Sequence, residues 1–347
     1  MSNATYKLLK EFRSRLSEDD AALAANLMKA YKAGPAATRA YLDGPEGSSD
    51  ELRALLLKPQ PETDGSSSDD VIKVGNASGP AMGFKPTQNE IDLMKSVSYP
   101  LGSAKTLIDA INTGPVAKGI VTSGNLIIDG HHRWSGAIAI GGKNAQIKGQ
   151  DVQWPGKNTD EILAAAQIAI VAKLGPGAKV PSQGQGFNTN ILGSSAKKIV
   201  SMIMANVNKQ TDKGAPGPLL NDKMIKDLVA KEVSGWETVY KWAGIEPFAA
   251  DVKNKGYKLR IAIATKVGEN LAALPSNPDA PVRADMPQFD PSVGGPKLST
   301  MTADLGAGKF NVSPPYSKQE SQFKSGNRLN ESIDKTRWQK IANIKRK

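Results

Sequence analysis

The apolar run Leu126-Ile-Ile128 leads directly into Asp129-Gly-His-His-Arg-Trp134, and the chain leaves through Ser135-Gly-Ala-Ile-Ala-Ile140. A short β-branched run, a glycine and then small helix-compatible residues make the pattern of a strand that turns at once into a helix. Such a junction commits the surrounding residues to a layered α/β (α+β) unit, because the strand needs neighbours and the helix must pack on the sheet they form. It also leaves backbone N–H groups open at the helix start, where the dipole favours negative charge. Arg133 stands there together with His131 and His132, which are the 2 histidines of the whole chain. The junction is therefore where a phosphate or nucleotide site is expected.

The rest of the chain falls into segments around this unit. Over residues 1–60, Leu8, Leu9, Phe12 and Leu16 recur at helical spacing. Ser17-Glu-Asp-Asp20 then supplies an N-cap signature for a helix over 21–32, ended by Gly34-Pro35, and a further helix is predicted over 49–58. Residues 61–84 read as a linker, with PETDGSSSDD at its start. In the central domain, 85–175, helices are expected to open at Pro86-Thr-Gln-Asn-Glu90 and to run over 103–112, from Trp134 to Gly141-Gly142, and over 160–174. Strands are expected at Ile120-Val121 and Leu126–Ile128, with a polar strand pair near 145–154. Residues 176–275 carry amphipathic patterns over 194–207 and 221–232, followed by helical segments over 236–242 and 259–274, and read as a helical domain. Residues 276–347 read as an extended Pro/Gly-rich arm that ends in a short basic helix over 330–344. The predicted architecture is thus a central mixed domain flanked by helical segments and an extended C-terminal arm.

Composition narrows the chemistry. With Cys 0, the 347 residues have no disulfide, no thiolate metal site and no cysteine nucleophile. Adjacent histidines rarely converge on one tetrahedral ion, so zinc is not expected, whereas a hard cation on carboxylates stays open. The longest apolar stretches, 126–140 and 162–174, are too short and interrupted to span a bilayer. The charged residues 1–15 lack a signal-peptide core, so a soluble, non-secreted chain without a membrane partner is expected. The net charge of +11 is uneven: residues 318–347 hold nine Lys/Arg against Glu320, Glu331 and Asp334. That run suits a polyanion or an acidic protein surface, and equally a solubilising tail.

At the junction each residue has a chemical role and a plain alternative. Arg133 can grip a phosphate bidentately and stabilise charge developing on it, or it can simply pair with Asp129 and lock the turn. His132 suits general acid–base work and His131 phosphate donation, although successive residues leave a turn in different directions and one of the two is expected to face the core. Asp129 can hold a divalent ion or accept from a ribose hydroxyl, or it can cap the following helix. Gly130 supplies backbone freedom and close approach to a ligand. Ser135 can offer its amide to phosphate or be an ordinary first-turn serine. Trp134 can stack on a base or pack in the core.

The run Asn125-Leu-Ile-Ile-Asp-Gly-His-His-Arg-Trp-Ser-Gly-Ala137 resembles the signature of the ParB/sulfiredoxin-like superfamily, with Gly130, His131, His132 and Arg133 at the positions of its Gly-x-x-Arg-like turn. Pro86-Thr-Gln-Asn-Glu90 is similar to that family's entry to the motif, which places Gln88 and Glu90 beside the same pocket. The likeness spans about residues 85–172. His131 stands where a sulfiredoxin needs cysteine, so sulfinic-acid reduction is excluded. Trp134, Ser135 and Gly136 replace the arginine-rich box of chromosome-partition ParB proteins. The branch that remains is the ParB-like nucleases of phage type.

The resemblance implies a nucleotide- or DNA-binding protein, a divalent-ion-dependent nuclease or nucleotide hydrolase. Asp129, His132 and Arg133 would be its catalytic residues, and Gly130, His131, Trp134, Ser135, Gln88 and Glu90 its phosphate and nucleotide contacts. Mg²⁺ or Mn²⁺ and a nucleotide triphosphate are the cofactors it implies. The alternative expectation is a virion structural or packaging-associated phage protein that keeps the domain as a non-catalytic module and binds other phage structural proteins. The corresponding locations are the host-cell cytoplasm or the virion. A weaker third expectation, a sequence-specific DNA-binding regulator, would need a recognition helix within 190–245.

Overall fold

A computed structural model describes residues 18–57, 74–154, 158–174, 189–207 and 218–282. The first helices are α1 (Glu18–Lys32), α2 (Pro35–Leu42) and α3 (Asp50–Leu57). The sheet strands are β1 (Val74–Pro80), β2 (Lys85–Pro86), β3 (Val116–Ser123), β4 (Leu126–Asp129) and β5 (Gln146–Val152). Between them run α4 (Leu93–Val97), α5 (Ala104–Asn112) and α6 (His131–Gly141). After the sheet come α7 (Thr159–Leu174), α8 (Ala196–Ala205), α9 (Asp222–Val229), α10 (Trp236–Ala243) and α11 (Lys255–Ala272).

The five strands form one mixed sheet in the order β1-β5-β3-β4-β2. β3 and β4 are an antiparallel hairpin turning at Gly124-Asn125, β3 and β5 run parallel, and β1 closes the far side antiparallel to β5. β2 pairs parallel with β4 through Lys85 and Pro86. The expected mixed α/β character is present, with helices on both faces of the sheet.

Two hydrophobic clusters share that sheet. One gathers Ala77, Ala117, Ile120, Ile127 and Ile147 from the strands with Trp134 and Ile138 of α6 and with buried residues of α5 and α8–α11. The other gathers Val121, Ile128 and Val152 with Leu27, Leu42 and Leu52 of the first three helices and Ile162, Ala165 and Ile168 of α7. Ile120 and Val121 are neighbours in sequence and serve opposite clusters, as strand alternation requires. The first cluster runs through both the expected central domain and the expected helical domain of 176–275. The second joins residues of 1–60 to the central sheet.

Several elements differ from expectation. Pro86-Thr-Gln-Asn-Glu90 does not open a helix: Pro86 sits in the edge strand β2, where it need not donate to a further strand, and the helix starts at Leu93. Its cap is Asp92, whose side chain accepts from Met94 N at 3.0 Å. Residues 145–154 contain one strand rather than a pair, and its partners are β1 and β3. Gly34-Pro35 ends α1 but also starts α2, with Pro35 in the first turn, where a missing N–H costs nothing. The expected helices at 5–16 and 330–344 and the arm beyond residue 282 lie outside the described residues. Among the described residues no helix is long and apolar enough to cross a membrane.

Candidate phosphate-binding cleft

The junction is built as the sequence predicts, β4 passing through Gly130 into α6. Gly130 holds φ +94°, the left-handed turn that sends the chain out of the sheet plane and into the helix. A Cβ there would stand 2.6 Å from Ile120 Cδ1, so side-chain space is closed as well. Asp129 does not cap the helix: the N-cap position is Gly130, which has no side chain to offer. Asp129 Oδ2 instead accepts from Arg133 Nη2 at 3.1 Å, one helical turn on, with both side chains about half exposed.

Below that pair β3 carries an irregularity. Lys118 pairs with Lys148 and Ile120 with Gly149, leaving Gly119 as the extra residue at φ +69°. A Cβ at Gly119 would lie 3.1 Å from Arg133 Nη1, and one at Gly130 would lie 3.2 Å from Nη2. The guanidinium thus lies over two bare backbone segments, held at one end by Asp129.

The two imidazoles part. His131 is 6 % exposed, and its Nε2 accepts from the Thr87 backbone N–H at 3.2 Å. Thr87 Oγ1 is committed to donating to Ile127 O at 2.7 Å. Accepting the Thr87 N–H requires an unprotonated Nε2, so His131 ties the end of β2 to α6 as a buried structural acceptor. His132, one position on and about 100° around the helix, is half-buried and lines an open cleft. Its Nδ1 stands 3.4 Å from Ser96 Oγ. Ser96 already donates to Asp92 O at 2.7 Å and accepts from Ser135 Oγ at 2.8 Å. That leaves Ser96 as acceptor towards His132, so the Nδ1 proton of His132 is fixed by the wall behind it.

The cleft measures about 420 Å³ and lies between α4, α5, α6 and β3. Ala110, Pro115, Ala117, Ala137 and Ile140 give it an apolar floor. Lys95, Lys118, His132 and Arg133 bring positive or protonatable groups, and among the described residues no carboxylate lines it. Tyr99 stands at its rim, 75 % exposed. Gly136 lets α6 approach α4 closely, since a Cβ there would meet Ser96 O at 2.5 Å.

The remaining expected contacts lie in the packing around this site. Trp134 is fully buried and donates through Nε1 to Ala81 O at 2.7 Å, so its ring is a core group. Ser135 is buried with its hydroxyl on Ser96. Gln88 is buried next to Thr87, and Glu90 is half-buried; neither lines the cleft. Among the described residues no three His, Asp or Glu side chains gather as a metal set. A divalent ion at this junction would therefore have one paired carboxylate, Asp129, and would have to be completed by its ligand's phosphates.

Sequence reasoning missed Lys95, Ser96, Tyr99 and Lys118. Lys118 had a local signal, the Lys-Gly step just before the apolar run of β3. The other three come from α4 and its following turn, which pair with the junction only through tertiary packing. Comparison with family models, with curated proteins and with solved structures returned no match to this chain.

Proposed function

We propose that this chain binds the phosphate of a nucleotide or nucleic acid in the cleft beside α6, as the likeness to the ParB/sulfiredoxin-like superfamily implies. The observation that carries this reading is the convergence of Lys95, Lys118, His132 and Arg133 on one cleft, with no carboxylate among the described residues that line it. Arg133 is pre-set by Asp129 over Gly119 and Gly130, so little side-chain freedom is lost when it grips an anion. The N-terminal end of α6 adds partial positive charge at the same place.

Thermal unfolding of the full chain with ATP, CTP or a short oligonucleotide tests it. A ligand at a hundred times its Kd stabilises by about 2.7 kcal/mol, which is readily seen as a raised midpoint. Arg133→Ala and Lys118→Ala are expected to remove the shift while leaving the unliganded midpoint close to the parent's. A shift unchanged in both variants would place binding elsewhere.

A second reading, hydrolysis of a phosphoester in the same cleft, is favoured by His132. Among the cleft side chains only its imidazole ordinarily titrates near neutral pH, and Ser96 orients it. Incubation of nucleotide and DNA with the protein and Mg²⁺ or Mn²⁺, followed by product analysis, tests it. Turnover by the parent that survives His132→Ala would remove His132 from the chemistry. The alternative of a virion structural or packaging-associated protein draws on residues 276–347, and 283–347 of these lie outside the described residues.

A further inference from the structure

The phosphate-binding reading leaves two features unused. The first is Tyr99. Among the described residues it is one of three strongly exposed large hydrophobic residues, with Tyr257 and Val282, and the one of the three that lines this cleft. Its exposure does not come from a loose loop. Val97 and Leu101 on either side are fully buried, and Leu101 N donates to Val97 O at 2.9 Å. Leu101 O accepts from Leu220 N at 2.9 Å, and Gly102 O accepts from Asn221 Nδ2 at 2.8 Å. A pinned turn thus holds an aromatic ring in water at the mouth of an apolar-floored cleft.

The second feature is a pair of like charges. Lys118 and Lys148 are in register on the adjacent parallel strands β3 and β5, and both are exposed. Ala117 and Ile147, the preceding register pair, face the core, so the two lysines share the opposite face. Adjacent strands lie about 4.8 Å apart, and like charges placed side by side there cost stability. Neither lysine has an ion-pair partner among the described residues. Arg133 lies on Gly119, the residue after Lys118, and Lys118 lines the cleft, so Lys148 extends this positive charge onto the neighbouring strand β5.

We infer that the ligand is single-stranded nucleic acid, with one base stacked on Tyr99 and the backbone running over Arg133 and Lys118 to Lys148. This rests on the phosphate-binding reading and narrows it. A free nucleotide can fill the cleft and has no phosphate left for Lys148. A duplex offers Tyr99 no base face unless a base is flipped out. A single strand uses both features, stacking on an aromatic while a basic strip tracks its backbone.

Fluorescence anisotropy of the full chain with labelled oligothymidylate of about twelve nucleotides, and with a duplex of the same length, tests this. The single strand is expected to bind more tightly than the duplex. Loss of one stacked base predicts a weakening of roughly 5- to 150-fold for Tyr99→Ala, with Tyr99→Trp restoring affinity. Lys148→Ala is expected to lower the slope of log affinity against log salt by about 0.7. Lys226→Ala, on α9 away from the cleft, is expected to leave both unchanged. Equal affinity for duplex and single strand would overturn the inference, as would unaltered single-strand binding by Tyr99→Ala and Lys148→Ala. If ATP or CTP binds through Arg133 while the oligonucleotide ignores Tyr99 and Lys148, the cleft keeps its phosphate and the single-strand assignment falls. If no probe depends on Arg133, both readings fall.

Discussion

His131 and His132 are adjacent and chemically identical, and the atoms around them give them opposite duties. Replacing His131 by Phe fills the space but leaves the buried Thr87 N–H without its acceptor, a loss of about 1–3 kcal/mol. His132→Ala removes a half-buried ring from a cleft wall and is expected to cost under about 1 kcal/mol while changing ligand affinity. Urea denaturation of both variants separates the two duties, and a His131→Phe protein as stable as the parent would remove the structural role. Gly130 makes a third contrast. An alanine there must adopt φ +94° with its Cβ 2.6 Å from Ile120 Cδ1, so Gly130→Ala is expected to lose about 1–3 kcal/mol. It should also displace the guanidinium of Arg133 and weaken phosphate binding. Gly83→Ala, where a Cβ meets nothing within 4 Å, is the control expected to stay near the parent in both respects. Urea midpoints and ligand titrations on this pair check the claim.

The helical layer of α1–α3 and α7 depends on two phenols that must stay neutral. Burial, reinforced by Glu161, pushes the Tyr31 hydroxyl up to about 12, and burial with Glu46 does the same for Tyr41. Tyr41 also donates to Leu23 O at 3.4 Å, a bond that ionisation removes. A folded-state value raised above the ordinary 10.0 gives stability that is complete below pH 10 and is lost as pH climbs towards 12. Alkaline titration should therefore show late, cooperative tyrosinate absorbance accompanied by loss of helical ellipticity, and Tyr31→Phe should delay that loss. Tyrosinate forming at pH 10 with the helices intact would contradict it. Elements of this kind were legible in the sequence, because α5, α6, α7 and α8–α11 each carry a continuous apolar stripe or an Ala-rich run. β1 was not, since Val74-Gly-Asn-Ala-Ser-Gly-Pro80 buries one side chain, Ala77, and draws its order from pairing with β5. β2 and α2 were hidden by prolines: Pro86 reads as the start of a helix and sits on a sheet edge, while Pro35 reads as a breaker and sits in a first helical turn.

At the scale of the whole molecule, the half of the site written in one stretch, from Asp129 to Arg133, could be read directly. The half supplied by Lys95, Ser96, Tyr99 and Lys118 could not, because α4 and β3 reach the junction only once the sheet closes under them. That sheet is also what makes the layers one cooperative body. Ile120 and Val121 of β3 are both fully buried and belong to different clusters, so β3 cannot lose order without exposing both. Tryptophans report on each side: Trp134 lies in the first cluster with Trp236 and Trp242 packed against it, and Trp154 lies in the second. Thermal unfolding followed by tryptophan fluorescence and by far-ultraviolet ellipticity is therefore expected to give coincident transitions. Ile120→Ala should lower that single midpoint through a loss of about 2–5 kcal/mol, the cost of a large-to-small change in a closed core. Because the shared strand carries the effect, the midpoint should fall equally in a variant whose remaining fluorescence comes from Trp154 alone. Two separated transitions, or a shift confined to one cluster, would show that the helical layer of 18–57 and α7 folds independently of the cleft.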